Sequence, residues 1–197
     1  KSLKSKSAED RYLESLRSPD GHIIEGSRNL VKEVRSQYET LYAKQGIEEE
    51  TANSFINCLQ RKLEPEDIDN LSTSHAITKA EIRQAIKSLS KNKAPGLDGI
   101  PSEFYKLHER KLVDLLYLVY AECVRREELA VTMYRGVITL LYKGKGDKND
   151  RKNWRPITLL NTDYKIFAKI ITARLRKLMP KLVSIDQTCA VEGRNIH

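Results

Sequence analysis

Two runs of β-branched and aromatic residues, set in a chain whose other apolar residues recur at helical spacing, constrain the fold most. Gly136-Val-Ile-Thr-Leu-Leu-Tyr142 and Trp154-Arg-Pro-Ile-Thr-Leu-Leu160 both read as strands. The eleven residues between them, Lys143 to Asn153, hold five cations and two glycines. Together these features predict a hairpin with a long basic tip. Pro156 falls near the start of the second run, where a missing amide donor is tolerated at an edge or at a strand's first residues.

Elsewhere the period is that of a helix. Glu25 to Lys44 places Leu30, Val34, Tyr38, Leu41 and Tyr42 three and four residues apart, and Gly46 stops it. Residues 51–63 predict a second short helix with Phe55, Ile56 and Leu59 inward, and the acidic run Glu64 to Asp69 a solvated connector. Residues 1–18 are polar and predict a helical tail or linker ended by the turn signal Ser18-Pro19-Asp20-Gly21. Thr78 and Glu81 form a capping-box pattern opening a helix with Ile82, Ala85, Ile86 and Leu89 on its apolar stripe, ending at Lys91.

Lys93-Ala-Pro-Gly-Leu-Asp-Gly-Ile-Pro101 must take a compact non-helical path, and Pro101 suits the first position of the next helix. That helix, Pro101 to His108, leads into Lys111 to Arg126, apolar on most of its circumference and expected to be buried. From Thr162 to Lys181 a last helix gathers Phe167, Ile171, Leu175, Leu178 and Leu182 on one arc, with Lys165, Lys169 and Arg176 forming a cationic ridge elsewhere. The fold class that results is α+β, mostly helical, with one prominent hairpin.

Charge narrows the function. The net charge of +8 is concentrated: residues 131–181 hold 13 Lys+Arg against 3 Asp+Glu. Such a block attracts polyanions. The most apolar stretch, Leu112 to Val124, is broken by Asp114 and Glu122, which excludes a membrane span there. Cys58, Cys123 and Cys189 suggest no disulfide framework, hence a reducing, intracellular setting, cytoplasmic or nuclear. Neither they nor His22, His75, His108 and His197 have metal-ligand spacing. The polar start, Lys1-Ser-Leu-Lys-Ser-Lys, without Met, suggests the interior of a longer protein.

A cationic tip, a nearby Arg and a basic helix ridge suit phosphates, whether of a triphosphate or of a nucleic-acid backbone. Lys supplies mobile point charges and Arg155 a planar fork. Lys143-Gly-Lys-Gly-Asp147 lacks the G-x-x-x-x-G-K-[ST] spacing and so excludes a P-loop.

Four ordered blocks then carry a family resemblance. They are Lys91-Asn-Lys-Ala-Pro-Gly-Leu-Asp-Gly-Ile-Pro-Ser-Glu-Phe-Tyr-Lys106, Ile138 to Gly146, Asn153 to Leu175, and Ser184-Ile-Asp-Gln-Thr188 with Gly193-Arg194. In that order they resemble segments of the reverse transcriptases of non-LTR (LINE-type) retrotransposons. Residues 20–77 are similar, more loosely, to the region between endonuclease and polymerase.

The resemblance implies a helical linker over 1–77 and the incomplete fingers part of a right-hand polymerase over 78–197. It implies dNTP ligands at Lys143, Lys145 and Arg155, and contacts to RNA template or DNA primer at Lys91, Lys93, Lys165, Lys169 and Arg176. Pro95, Gly96 and Gly99 would shape a turn, while Asp98, Asp163 and Asp186 would be turn or cap residues. The intact enzyme would nick DNA and extend the 3′ end on an RNA template, using Mg²⁺ and further palm, thumb and endonuclease parts. The carboxylates that hold that metal have no counterpart in this sequence, so the segment is expected to bind without catalysing, and Cys189-Ala190 replaces the family's Gly-Phe. Two rival readings are a non-catalytic basic nucleic-acid-binding module from a decayed element and a helical interaction domain with solvated cations.

Overall fold

Two compact units build the computed structural model, one from Lys1–Glu49 with Ile138–Thr158, the other from Glu50–Val137 with Leu159–His197. Its described residues are 13–18, 20–43, 46–58, 63–71, 77–184, 186–187, 191 and 193–194. Lys44, Leu59, Cys189 and Ala190, named above, lie outside them, as does Pro19.

In the first unit, strands β1 (Ser15–Arg17) and β2 (Ile23–Glu25) pair antiparallel with Leu16 opposite Ile24. The turn between them closes through the Gly21 amide on the Ser18 carbonyl at 3.0 Å, with Gly21 at φ 88, a left-handed angle that suits glycine. Within the expected tail or linker, Ser15–Arg17 is therefore a strand and not helix, while residues 1–12 lie outside the described residues. The cause of the strand is tertiary: Leu16 is 2% exposed, and the Arg17 amide donates to the Asn149 carbonyl at 2.8 Å. Helix α1 (Ser27–Leu41) follows, its inward anchor being Leu30. Leu41 and Tyr42 stay exposed, and Tyr42 stacks on Tyr38 at 5.8 Å between centroids.

Strands β3 (Gly136–Tyr142) and β4 (Trp154–Leu160) form the second two-stranded sheet, with the bounds the sequence predicts. Val137, Ile138, Leu141 and Ile157 on it are 38–47% exposed. A two-stranded sheet has too little of its own surface to cover both faces.

The second unit is helical: α2 (Glu49–Asn57), α3 (Pro65–Leu71), α4 (Lys79–Lys87), α5 (Ser102–Leu107), α6 (Glu109–Arg126) and α7 (Thr162–Leu182). Ile82 and Ile86 of α4, Val113 and Tyr120 of α6, and Ile166 and Ile170 of α7 make the centre of its core. Burial of such side chains contributes about 1.5–3 kcal/mol each. The capping box is complete at α4: the Thr78 hydroxyl accepts from the Glu81 amide and the Glu81 carboxylate accepts from the Thr78 amide.

Six expectations need correction here. Phe55 and Ile56 on α2 are 75% and 57% exposed, so that face points outward. The acidic run is not a solvated connector but α3, whose Asp67 is 6% exposed and accepts two bonds from Lys181 at 2.7 and 2.8 Å. Helix α4 ends at Lys87 rather than Lys91, and the chain then turns through Asn92 at φ 55, held by its amide on the Glu103 carboxylate at 2.6 Å. Pro101 is the residue before α5, not its first. In α7 the buried residues are Thr162, Ile166, Ile170 and Leu178: Leu178 is on the expected arc, but the two isoleucines lie roughly 120° away from its centre. That helix carries two apolar stripes, and packing against α4 and α6 selects the one with the isoleucines. Phe167 meets Tyr120 edge to face at 5.2 Å, while Leu175 is left 39% exposed. Likewise α6 is buried only along Val113, Leu116, Tyr120 and Cys123, and it leaves Leu115 and Leu118 exposed.

Candidate nucleic-acid interface

In the first unit, candidate cations sit on and beside the basic tip, which is built and not slack. The Trp154 indole N–H donates to the Lys148 carbonyl at 2.8 Å, and the Tyr142 hydroxyl donates to the Gly146 carbonyl. The Asp147 carboxylate accepts from the Asn149 amide and the Arg17 guanidinium, which together hold it below the usual carboxylate range. Asn153 returns a side-chain bond to the Asp147 carbonyl at 2.9 Å.

The same contacts tie the ends of the two strands together around the candidate cations. The Lys143 amide donates to the Asn153 carbonyl at 2.7 Å, and the Tyr142 and Trp154 rings meet at 5.4 Å. Lys143 directly follows β3, and Arg155 lies within β4. Both are exposed, as is Lys145. The Lys143 ammonium donates to the Lys152 carbonyl at 2.5 Å, which leaves it two further donors.

In the second unit, a groove of about 520 Å³ lies along α7 and the loop after α4, and Lys93, Lys165 and Lys169 all line it. Its apolar surface comes from Leu89, Ala94, Leu159, Leu160 and Ala168, with Tyr164 beside them. Lys165 reaches the Ala94 carbonyl at 3.4 Å, a weak bond that leaves its charge available. Lys91 is exposed next to the groove-lining Ser90, and Arg176 is exposed farther along α7; neither lines the groove.

Asn161 fixes the loop against the start of α7. Its side chain donates to the Thr132 carbonyl at 3.1 Å and accepts from the Asp98 amide at 3.4 Å, and the Thr162 hydroxyl donates to the Ile100 carbonyl at 2.9 Å. Gly96 makes the approach possible: a Cβ there would lie 2.4 Å from the Asn161 nitrogen and 2.6 Å from the Leu160 carbonyl carbon. Gly96 therefore does more than shape a turn, whereas Gly99, at φ 68 with open space around it, is a turn residue. The signal lay in both blocks, as a Pro-Gly pair in one and an Asn after the strand in the other.

Arg174 is a cation that the ridge pattern left out. It grips Glu81 through two bonds of 2.7 and 3.0 Å, ties α7 to α4, and holds the Glu81 carboxyl down to about 2.

The acidic candidates behave as local structure. Asp98 accepts from the Ile100 amide, Asp163 from the Tyr164 amide, and Asp186 from the Ser184 hydroxyl. Burial pushes the Asp163 carboxyl up and takes the neighbouring Tyr105 phenol up to about 12. Among the described residues no three His, Cys, Asp or Glu side chains are grouped to hold a metal ion. Among the same residues, no helix is long and apolar enough to cross a membrane.

No family model matches the chain. Over 194 residues, 98% of its length, it is 34% identical to an uncharacterized 149 kDa protein of transposon TX1 from Xenopus laevis, of which it spans 14%. Over 149 residues, 67% of its length, it is 28% identical to a probable RNA-directed DNA polymerase from transposon BS of Drosophila melanogaster, of which 16% is covered. A third relative, a probable RNA-directed DNA polymerase from the X-element transposon of the same fly, is 29% identical over 99 residues, half of this chain and 11% of that protein. The chain thus spans less than a fifth of each of these relatives, and it belongs to the transposon-encoded proteins that include the reverse transcriptases of non-LTR (LINE-type) elements.

Proposed function

We propose that this chain is the part of a retrotransposon RNA-directed DNA polymerase that grips the RNA template, the DNA primer and the incoming dNTP. Lys93, Lys165 and Lys169 hold strand phosphates, with Lys91 and Arg176 flanking them, and Lys143, Lys145 and Arg155 hold the triphosphate. The observation that carries the reading is the groove: a loop lysine and two helix lysines, more than 70 positions apart in sequence, line one concavity. Its apolar surface makes their charges act in a less screened setting than open solvent.

Lys143 and Arg155 support the nucleotide part by both being exposed at the base of the basic tip, where a mobile ammonium and a planar guanidinium can each take phosphate oxygens.

The test is fluorescence polarisation with single-stranded RNA from 50 to 200 mM salt. Each phosphate neutralised on a single strand contributes a slope of about −0.7 in log affinity against log salt. Substituting Lys93, Lys165 and Lys169 together by Gln lowers the slope by about 2. An unchanged slope refutes the groove's role. For the nucleotide part, Lys143→Ala with Arg155→Ala is expected to abolish photo-crosslinking of a dNTP and leave the RNA slope as it was; undiminished crosslinking removes that assignment.

A further inference from the structure

The groove contains more than cations, and phosphate binding explains only its rim. Leu89 is 6% exposed, and Leu159, Leu160 and Ala168 are part-buried around the same concavity. A phosphate gains nothing from aliphatic surface, since desolvating an anion without hydrogen-bond partners is unfavourable. A flat aromatic group gains from it. Tyr164 lies in the same lining, partly buried against the helical core, and adds aromatic surface to the concavity. The volume, about 520 Å³, is within the range of pockets that enclose small organic ligands.

We propose that the groove receives one unpaired base of a nucleic-acid strand, while Lys93 on the loop side and Lys165 and Lys169 on the helix side hold the phosphates that flank it. This rests on the nucleic-acid reading given above and adds what form of strand is bound. A base paired in a duplex has its faces covered by neighbouring pairs and cannot enter without leaving the stack. The groove therefore selects single-stranded over double-stranded segments with no need to recognise sequence, because every base offers a π-face. Cations on two separate elements favour a strand, which has phosphates on both sides of a base, over a free nucleotide, which has them on one.

The experiment compares three twelve-nucleotide ligands of equal backbone charge per strand: intact single-stranded RNA, the same backbone with abasic positions, and the duplex. At fixed salt the intact strand is expected to bind at least fivefold more tightly than the abasic one, with the duplex near the abasic value. Ala168→Trp fills the groove and is expected to bring the intact strand down to the abasic affinity while the salt slope stays unchanged. A free nucleoside triphosphate is expected not to displace the strand at equal concentration.

Where Ala168→Trp loses helical circular dichroism, 2-aminopurine placed in turn at each position of the strand gives the same information on the unaltered protein. One position, and not its neighbours, should then change emission. Equal, salt-dependent affinity for intact and abasic strands overturns the base pocket and leaves phosphate gripping intact. Salt-independent or absent binding of every ligand overturns both, and strand displacement by the free nucleotide assigns the pocket to a mononucleotide and overturns this proposal.

Discussion

Replacing Gly96 by Ala tests the geometry on which the groove depends. The added methyl would sit 2.1 Å from the Asn161 side-chain oxygen, 2.4 Å from the Asn161 backbone nitrogen and 2.6 Å from the Leu160 carbonyl carbon. The side-chain oxygen can rotate away; the two backbone atoms cannot. They lie at the junction of β4 and α7, so relief needs a separation of about 1 Å between the loop and the first turn of α7. Forcing a methyl into a packed contact costs about 1–3 kcal/mol. Displacing Asn161 also weakens its bonds to Asp98 and Thr132, at about 1 kcal/mol each. The expected loss is roughly 3–5 kcal/mol, read from urea melts followed by circular dichroism at 222 nm. Gly99→Ala is the control: nothing lies within 4 Å of its Cβ, so only the left-handed φ of 68 opposes it, at about 1–2 kcal/mol. If Gly96→Ala is no more costly than Gly99→Ala, the loop is not latched to Asn161 and the groove has no fixed wall.

Two further outcomes follow from named contacts. Glu81→Gln probes the Arg174 clamp: because the folded carboxyl is lowered from 4.5 to about 2, its stabilisation is present above about pH 4.5 and lost as pH falls towards 2. Discounted for a side chain 31% exposed, the loss is about 1–2 kcal/mol at pH 7 and near zero at pH 2, which urea melts at the two pH values resolve. Trp154→Phe removes the indole bond to the Lys148 carbonyl and about 0.5–1.5 kcal/mol of tip stability; trypsin should then cut after Lys145 and Lys148 severalfold faster, and an unchanged cleavage rate would show that the tip is ordered by other contacts.

What was legible in the sequence was local. The strands at 136–142 and 154–160 announced themselves by β-branched residues and a basic interval, and the α4 cap by Thr78 and Glu81 at the right spacing. What stayed hidden depends on partners far along the chain. A three-residue strand at 15–17 has too few residues for a period to show, and its backbone is satisfied by Asn149. The acidic run reads as solvated until Lys181 is brought beside Asp67. In α7, helical spacing alone allows either of two apolar stripes, and the neighbouring helices decide between them.

The same limit governs the charge argument, and it sharpens the site. A count of cations between residues 131 and 181 treats all 13 as equivalent contributors to the field. The folded chain does not. Arg174 is committed to Glu81, and its side chain is 12% exposed; Lys181 is committed to Asp67, and Lys143 gives one donor to a carbonyl of its own tip. The two ion pairs each offset a charge that the count assigned to the surface, whereas Lys143 keeps its charge and gives up only one donor. Lys165 and Lys169 keep theirs, and Lys93, which lies outside the basic block, joins them across the groove. A polyanion thus meets a few cations placed by the latch at Gly96 and Asn161, not a uniformly positive segment. Affinity should therefore respond more to the position of the Lys93 loop than to the chain's net charge. Gly96→Ala, which removes no charge, ought to weaken RNA binding more than neutralising Arg135 or Lys177, and the reverse order would return the explanation to bulk electrostatics.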